Sequence, residues 1–358
     1  MPHLVSTQTR LRLPAAAAAC AITLAASLAV SVPGQAAGAD RPSGEVTEVE
    51  DLAYGPAVPG NLLDLHLPER RGSAKLPLVI WHSGSAWFSN SVKDGAGALA
   101  VVEEFTSRGY AVASINVRSS ADARFPAQGH DVRAAIRYLR ENAATYGIDP
   151  GRFAFMGNSS GGWSAAFAAT TSDVATLPGE TGVDGTSSAV QVAVPFFPPT
   201  DFLSMDTFAA ENGLPMAPGI YPHDAPTSPE SRLIACPGEV YPSVLVSIQA
   251  CPAQTEAADP SSYIEGREIP VWVLHGLSDP LLPYNQSQLV YDTTTAAGNE
   301  ARFTLVPAAG HSVDDIIDGV DATTRTTNRG GKETVRRGDA PGWDDIERFL
   351  HTNLSRGR

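Results

Sequence analysis

Short apolar runs recur along the chain: Leu78-Val79-Ile80-Trp81, Tyr110 to Ile115, Phe153 to Met156, Val190 to Val194, Val271 to Leu274 and Phe303 to Val306. Most of their positions are apolar in succession rather than in alternation, which points to strands covered on both sides, as in a parallel sheet. Segments with a helical period lie between them. The clearest runs from Ala127 to Tyr146, where Val132, Ala135, Ile136 and Leu139 form a stripe interrupted by Arg133, Arg137 and Arg140. Strands and helices alternating in this way predict the α/β class, with a mostly parallel central sheet and helices on both faces.

The rhythm breaks between Phe208 and Asp259, where Pro215, Pro218, Pro222, Pro226 and Pro229 punctuate irregular sequence. An aperiodic stretch of this length inside a compact domain is usually functional or disordered. A cysteine at each end of its second half, Cys236 and Cys251, argues for order, so a lid-like insertion over about 208–259 is expected, with a plain surface excursion as the other reading. A second irregular stretch, Val320 to Pro341, is charged and contains glycine, and reads as an exposed loop.

The N-terminus adds a processing signal. Arg10 and Arg12 precede an uncharged Ala/Leu/Val stretch from Pro14 to Val32, and small residues follow at Ala36-Ala37-Gly38-Ala39. This is the layout of a secretory signal peptide over residues 1–37, cut between Ala36 and Ala39, so the protein is expected to be secreted. Cys20 would be discarded with it. What remains, 45–357, is long enough to bury the core of one large domain.

In an oxidising compartment Cys236 and Cys251 are expected to pair; free thiols or a metal pair are the alternatives, and no His or Asp stands nearby at ligand spacing. The formal net charge is −14, and loss of Arg10 and Arg12 makes the remainder more acidic. Such a surface repels nucleic acid and anionic lipid, so neither is an expected partner, and no stable membrane anchor is expected. Oligomeric state is not legible.

Candidate chemistry centres on Gly157-Asn158-Ser159-Ser160-Gly161, a G-x-S-x-G pentapeptide between the Phe153 run and the helix-compatible Gly162 to Phe167. In a strand, sharp turn, helix context this exposes Ser159 as a nucleophile. The competing reading makes Ser159 a helix cap. A serine hydroxyl needs a base and an orienting carboxylate, in the chain order Ser, Asp or Glu, His. Asp279 follows the Val271 strand and His311 follows the Phe303 strand, both just past carboxyl ends where open α/β sheets place their sites. His275 lies in the same region; Asp314 and Asp315 follow His311 and break the order. Oxyanion donors are expected from the Ser160 N–H and from Gly84 and Ser85, in the loop after Trp81. Pocket walls are expected partly from Phe88, Phe196 and Phe197.

Together these residues resemble the α/β-hydrolase superfamily, near the hormone-sensitive-lipase-like esterases and their bifunctional deacetylase/feruloyl-esterase relatives. The likeness runs from about Tyr54 to His311 and includes Leu63 to Pro68, Tyr146 to Pro150, the pentapeptide, Asp259 to Tyr263 and His275 to Pro283. It implies an α/β-hydrolase fold with serine, acid and base at Ser159, Asp279 and His311, acyl transfer to water, and no metal or organic cofactor. The family's oxyanion loop begins with histidine, whereas here that position is Ser83, with His82 displaced by one. The expected substrate is a small-molecule or polymer-borne ester: carbohydrate acyl groups, small esters or a polyester. The rival classes are a serine peptidase or amide hydrolase, and a non-catalytic binding protein on the same fold.

Overall fold

The computed structural model describes residues 44–356 except 71, 173, 181–184, 215–221, 235, 241, 265–268, 318 and 329. The expected signal peptide, with Cys20, lies outside the described residues. The described residues fall in one compact unit. Its strands are β1 (Val46–Ala53), β2 (Leu62–Pro68), β3 (Leu76–His82), β4 (Ala111–Ile115), β5 (Ile148–Asn158), β6 (Val192–Phe196), β7 (Val271–Gly276), β8 (Ala301–Val306), β9 (Ala322–Thr327) and β10 (Glu333–Gly338). The helices are α1 (Ala96–Thr106), α2 (Ala127–Glu141), α3 (Ala143–Tyr146), α4 (Ser160–Thr170), α5 (Met205–Glu211), α6 (Pro229–Leu233), α7 (Pro252–Glu256), α8 (Asn285–Ala296), α9 (Val313–Ile316) and α10 (Trp343–Leu354).

One sheet runs β1-β2-β4-β3-β5-β6-β7-β8-β9-β10. From β4 to β8 neighbours are parallel, and antiparallel pairs close both edges. Successive side chains of a strand point to opposite faces. Hence Val79 and Trp81 pack with Phe105 of α1 and Phe349 and Leu350 of α10. Leu78 and Ile80 pack with Val132, Ile136 and Leu139 of α2 on the other face. This is the mostly parallel, two-faced α/β architecture expected, and the strand order reverses between β3 and β5, where such sheets open a crevice at their carboxyl ends.

Two local expectations change. The Ala127 to Tyr146 helix is broken at Asn142, whose side-chain amide donates to the Tyr138 carbonyl at 2.8 Å and whose backbone leaves helical geometry (φ −93°, ψ 4°). Side-chain bonds of this kind compete with the helix ladder. The stretch read as an exposed loop, Val320 to Pro341, instead forms the β9–β10 hairpin. Its β-branched threonines suit a pleated strand, and pairing with β8 satisfies groups that an open edge would leave bare.

The insertion is ordered in the parts described. Leu233, Ile234, Cys236, Ile248 and Cys251 are buried with Trp87, Trp163 and Phe202. Cys236 and Cys251 are disulfide-bonded, with Cα atoms 5.5 Å apart. The Trp163 indole N–H donates to the Ala258 carbonyl at 2.8 Å, fastening the segment to α4. Among the described residues no helix is long and apolar enough to cross a membrane.

Candidate active site

β5 ends and α4 begins with a single residue between them, Ser159, at φ 55° and ψ −126°. A non-glycine residue in that region costs on the order of 1–3 kcal/mol and persists only where its surroundings hold it. Here they do. The Ser159 N–H donates to the Phe196 carbonyl of β6 at 3.1 Å, and its carbonyl accepts from Trp163 N–H at 2.9 Å. The flanking glycines are demanded by close backbone approach. A Cβ on Gly157 would lie 2.6 Å from the His82 carbonyl oxygen, and one on Gly161 would lie 2.6 Å from the His82 carbonyl carbon.

The loop after β3 leans on this turn. A Cβ on Gly84 would sit 2.6 Å from the Ser159 Cβ. Two of its N–H groups bond to the side chains flanking Ser159: Gly84 N–H donates to Asn158 Oδ1 at 3.1 Å and Ser85 N–H to Ser160 Oγ at 2.9 Å. Ala86 and Trp87 follow with positive φ (51° and 57°), which turns the Trp87 ring edge-on to Trp163 and Phe202. Below the loop His82 is buried, its Nδ1 2.9 Å from Ser164 Oγ of α4. Burial pushes its pKa down to about 3, so the ring is a neutral tie between β3 and α4. Ser83 accepts a hydrogen bond from the Trp81 indole at 2.9 Å.

Asp279 and His311 come from different loops and meet directly: His311 Nδ1–H donates to Asp279 Oδ2 at 2.7 Å. The other oxygen, Oδ1, accepts from the N–H groups of Leu281 and Leu282 at 2.8 and 2.9 Å, which orients the carboxylate. Burial opposes ionisation of Asp279, yet its contacts with His275 and His311 outweigh that and hold the carboxyl well below the usual carboxylate range. The two loops can approach because residue 276 is glycine; a Cβ there would be 2.6 Å from the Ala309 carbonyl carbon. The His311 ring packs on Phe197 with centroids 4.4 Å apart. Ser159 is therefore bonded to Phe196, and His311 rests on its neighbour Phe197, at one end of β6.

His275, not given a role by sequence reasoning, is a second partner of the acid. It is fully buried, with Nε2 3.3 Å from Asp279 Oδ2 and 3.1 Å from the Leu282 carbonyl, and Nδ1 2.7 Å from Ser287 Oγ. The Ser287 hydroxyl and the Leu282 carbonyl thus hold the ring in place beside Asp279. Its position four residues before Asp279 at a strand end was the available signal. Of the expected pocket walls, Phe88 is exposed and Phe197 faces His311, but Phe196 is buried between Trp81 and Trp343 and belongs to the core. Such an arrangement can hold a serine hydroxyl beside an imidazole whose second nitrogen is tied to a carboxylate.

The chain is similar to known proteins over most of its length. The BD-FAE family model matches residues 63–293. Esterase LipQ of Mycobacterium tuberculosis is 30% identical over 269 residues, which is 75% of this chain and 58% of that protein. A truncated form of a carbohydrate esterase from gut microbiota superposes with a TM-score of 0.67 at 29% identity, covering 87% of this chain and 97% of that one. A bifunctional GH43-CE protein of Bacteroides eggerthii gives 0.60 at 31% identity, covering 74% of this chain and 35% of that one. The chain thus spans little more than half the length of the first curated relatives it matches.

Proposed function

The chain belongs to the BD-FAE family of α/β-hydrolases, and on that premise we propose that it hydrolyses carboxylic esters through an acyl-enzyme formed on Ser159. His311 takes the Ser159 proton on Nε2 as Oγ attacks the ester carbonyl, and returns it to the leaving alcohol. Asp279 keeps the proton on Nδ1 and stabilises the imidazolium that forms. Water then repeats the sequence and releases the acid.

The tetrahedral oxyanion needs N–H donors already in place. We assign it to the Ser160 N–H, a first-turn amide of α4 with no partner inside the helix, and to Gly84 and Ser85. In the free protein Asn158 Oδ1 and Ser160 Oγ accept the Gly84 and Ser85 N–H groups, and the developing oxyanion would replace them. The observation that carries the reading is the conjunction of Ser159 in its strained turn, Gly84 against it, and Asp279 bonded to His311.

The substrate we favour is an acyl group on carbohydrate, since the chain is about 30% identical to a carbohydrate esterase from gut microbiota and to a bifunctional GH43-CE protein. The described insertion residues, packed against Trp87 at the crevice, serve as a lid in this reading. Export is part of the same proposal. Arg10, Arg12 and the apolar stretch that follows form the leader, and the Cys236–Cys251 bond suits an oxidising compartment.

The test is a panel of acetyl, butyryl, octanoyl and feruloyl esters plus an anilide, run on the protein and its Ser159→Ala variant. Ester turnover that disappears in the variant is expected, with little anilide cleavage. Turnover that persists in Ser159→Ala would remove Ser159 from the mechanism. N-terminal sequencing of protein from culture medium checks export: a start between Ala37 and Asp40 is expected, and an intact Met1 would count against it.

A further inference from the structure

A groove of about 620 Å³ lies between α10 and the β9–β10 hairpin. Strand register explains what lines it. Trp272 stands opposite Arg302, Arg302 opposite Thr326, and Thr326 opposite Thr334. Two residues along, Thr304 stands opposite Thr324 and Thr324 opposite Arg336. Directly paired residues share a face of the sheet. Helix α10 covers that face at Trp272, through Phe349, and the sheet continues beyond it.

The groove is cationic in a chain of formal net charge −14. Four arginines, at 302, 336, 337 and 348, line it against two aspartates, 339 and 345. Arg348 is engaged with Asp345 at 2.7 Å. Arg336, opposite Thr324, stands on the groove face of β10, which is exposed throughout its length, and makes no ion pair among the described residues; Arg337, the next residue, is paired with Thr323 and its side chain turns to the other face. Arg302 is held differently. Its guanidinium carbon lies 5.1 Å from the centroid of Trp272 and 4.7 Å from that of Phe349. Its Nε is buried with no hydrogen-bond partner among the described residues, and burial lowers its pKa from the ordinary arginine value. A cation with a desolvated, unmet donor gains from an arriving anion more than a solvated one does.

We propose that this groove binds a carboxylate-bearing polysaccharide, so that a polymer substrate is held on the protein while its ester groups reach Ser159. The inference rests on reading the chain as a hydrolase of carbohydrate-borne esters. Guanidinium forks match carboxylates in paired hydrogen bonds, and the Thr324, Thr326 and Thr334 hydroxyls beside them suit sugar hydroxyls. A polyanion is repelled by the acidic remainder of the surface, so this groove is where it can settle. One end of the groove also approaches the catalytic edge. Ala340 N–H donates to the Gly319 carbonyl at 3.0 Å. A Cβ on Gly319 would be 3.5 Å from the Asp315 carbonyl, and the Asp315 carboxylate accepts from Gly310 N–H, beside His311, at 3.3 Å.

The test measures binding of polygalacturonate, at low salt, to the intact protein and to the Arg336→Gln variant, with hydrolysis of a small acetate ester and the melting temperature followed in both. Binding weakened roughly tenfold or more in the variant is expected, because charge-assisted hydrogen bonds are the strong ones. Turnover of the small ester and the melting temperature stay unchanged, since Arg336 is exposed on an edge strand. Equal binding by the two proteins would overturn the proposal. So would equal binding of neutral dextran, or tighter binding of single-stranded DNA through the same arginine. If neither protein cleaves any ester yet polygalacturonate still binds through Arg336, the esterase reading fails and the groove remains a polyuronate site.

Discussion

Replacing Asp279 with Asn isolates what the carboxylate does, because the side chain keeps its shape while one oxygen becomes a donor. Oδ1 accepts from two backbone N–H groups, at 2.8 and 2.9 Å, so the carboxamide will keep its oxygen there and turn its NH₂ toward His311. That places a donor against His311 Nδ1, which now lies 2.7 Å from Oδ2. The imidazole answers by carrying its proton on Nε2, and a protonated Nε2 cannot accept the Ser159 proton. Loss of the correct tautomer in a serine triad costs roughly 10⁴ in kcat, which is about 5.4 kcal/mol at about 1.36 kcal/mol per decade. Folding should lose less, about 1–3 kcal/mol, the scale of a charge-assisted hydrogen bond. The assay is kcat and KM on a soluble acetate ester beside a thermal melt. A fall in kcat of three decades or more, with KM little changed and the fold intact, is expected. If Asp279→Asn retains activity within tenfold, the contact between Asp279 and His311 does not orient a catalytic base and the proposed mechanism is wrong.

Further outcomes follow from single contacts. Gly84→Ala places a methyl 2.6 Å from Ser159 Cβ and should cost about 10²–10³ in kcat by displacing the oxyanion loop, with a small change in melting temperature; unaltered kcat would detach this loop from the site. The folded pKa of His82, about 3, lies below its unfolded value of about 6.5, so protons favour the unfolded chain between them. Stability from this group is complete above about pH 6.5 and falls by up to about 1.4 kcal/mol per unit as pH drops toward the folded value. In urea titrations from pH 7 to 4, His82→Asn should therefore lose less stability on acidification than the parent, and parallel curves would refute the buried neutral ring. The Cys236–Cys251 bond spans 15 residues and should contribute about 3 kcal/mol by restricting the unfolded chain. The Cys236→Ala/Cys251→Ala variant should melt lower and be cut sooner by protease within the insertion; an unchanged melt would show that the packing against Trp87 and Trp163 suffices.

Legibility followed burial. Strands β3 to β7 are covered on both faces, so each leaves a largely apolar run such as Leu78 to Trp81, and that run is readable without knowing its neighbours. The edges carry no such mark. In β10 every residue is exposed, and in β9 four of six are half-buried, so their polar sequence resembles a loop until pairing with β8 shows otherwise. Asn142 looked like a polar position within a helix because its bond to the Tyr138 carbonyl depends on local geometry that composition does not record.

What the sequence by itself determined was the class of fold, the succession of the inner strands along the chain and the candidates Ser159, Asp279 and His311. A glycine spacing around a serine, an acid after one strand and a histidine after the next are local facts, written in residues close along the chain. What only the tertiary structure decided were distances between segments far apart in it. These include Asp279 shared between His275 and His311, the loop amides of Gly84 and Ser85 resting on Asn158 and Ser160, and His82 tied to Ser164. They also include the arginines of β8, β10 and α10 gathered in one groove. The physical reason is that hydrogen bonds, desolvation and charge act over a few ångströms in space, and the sheet brings together residues that the chain holds far apart.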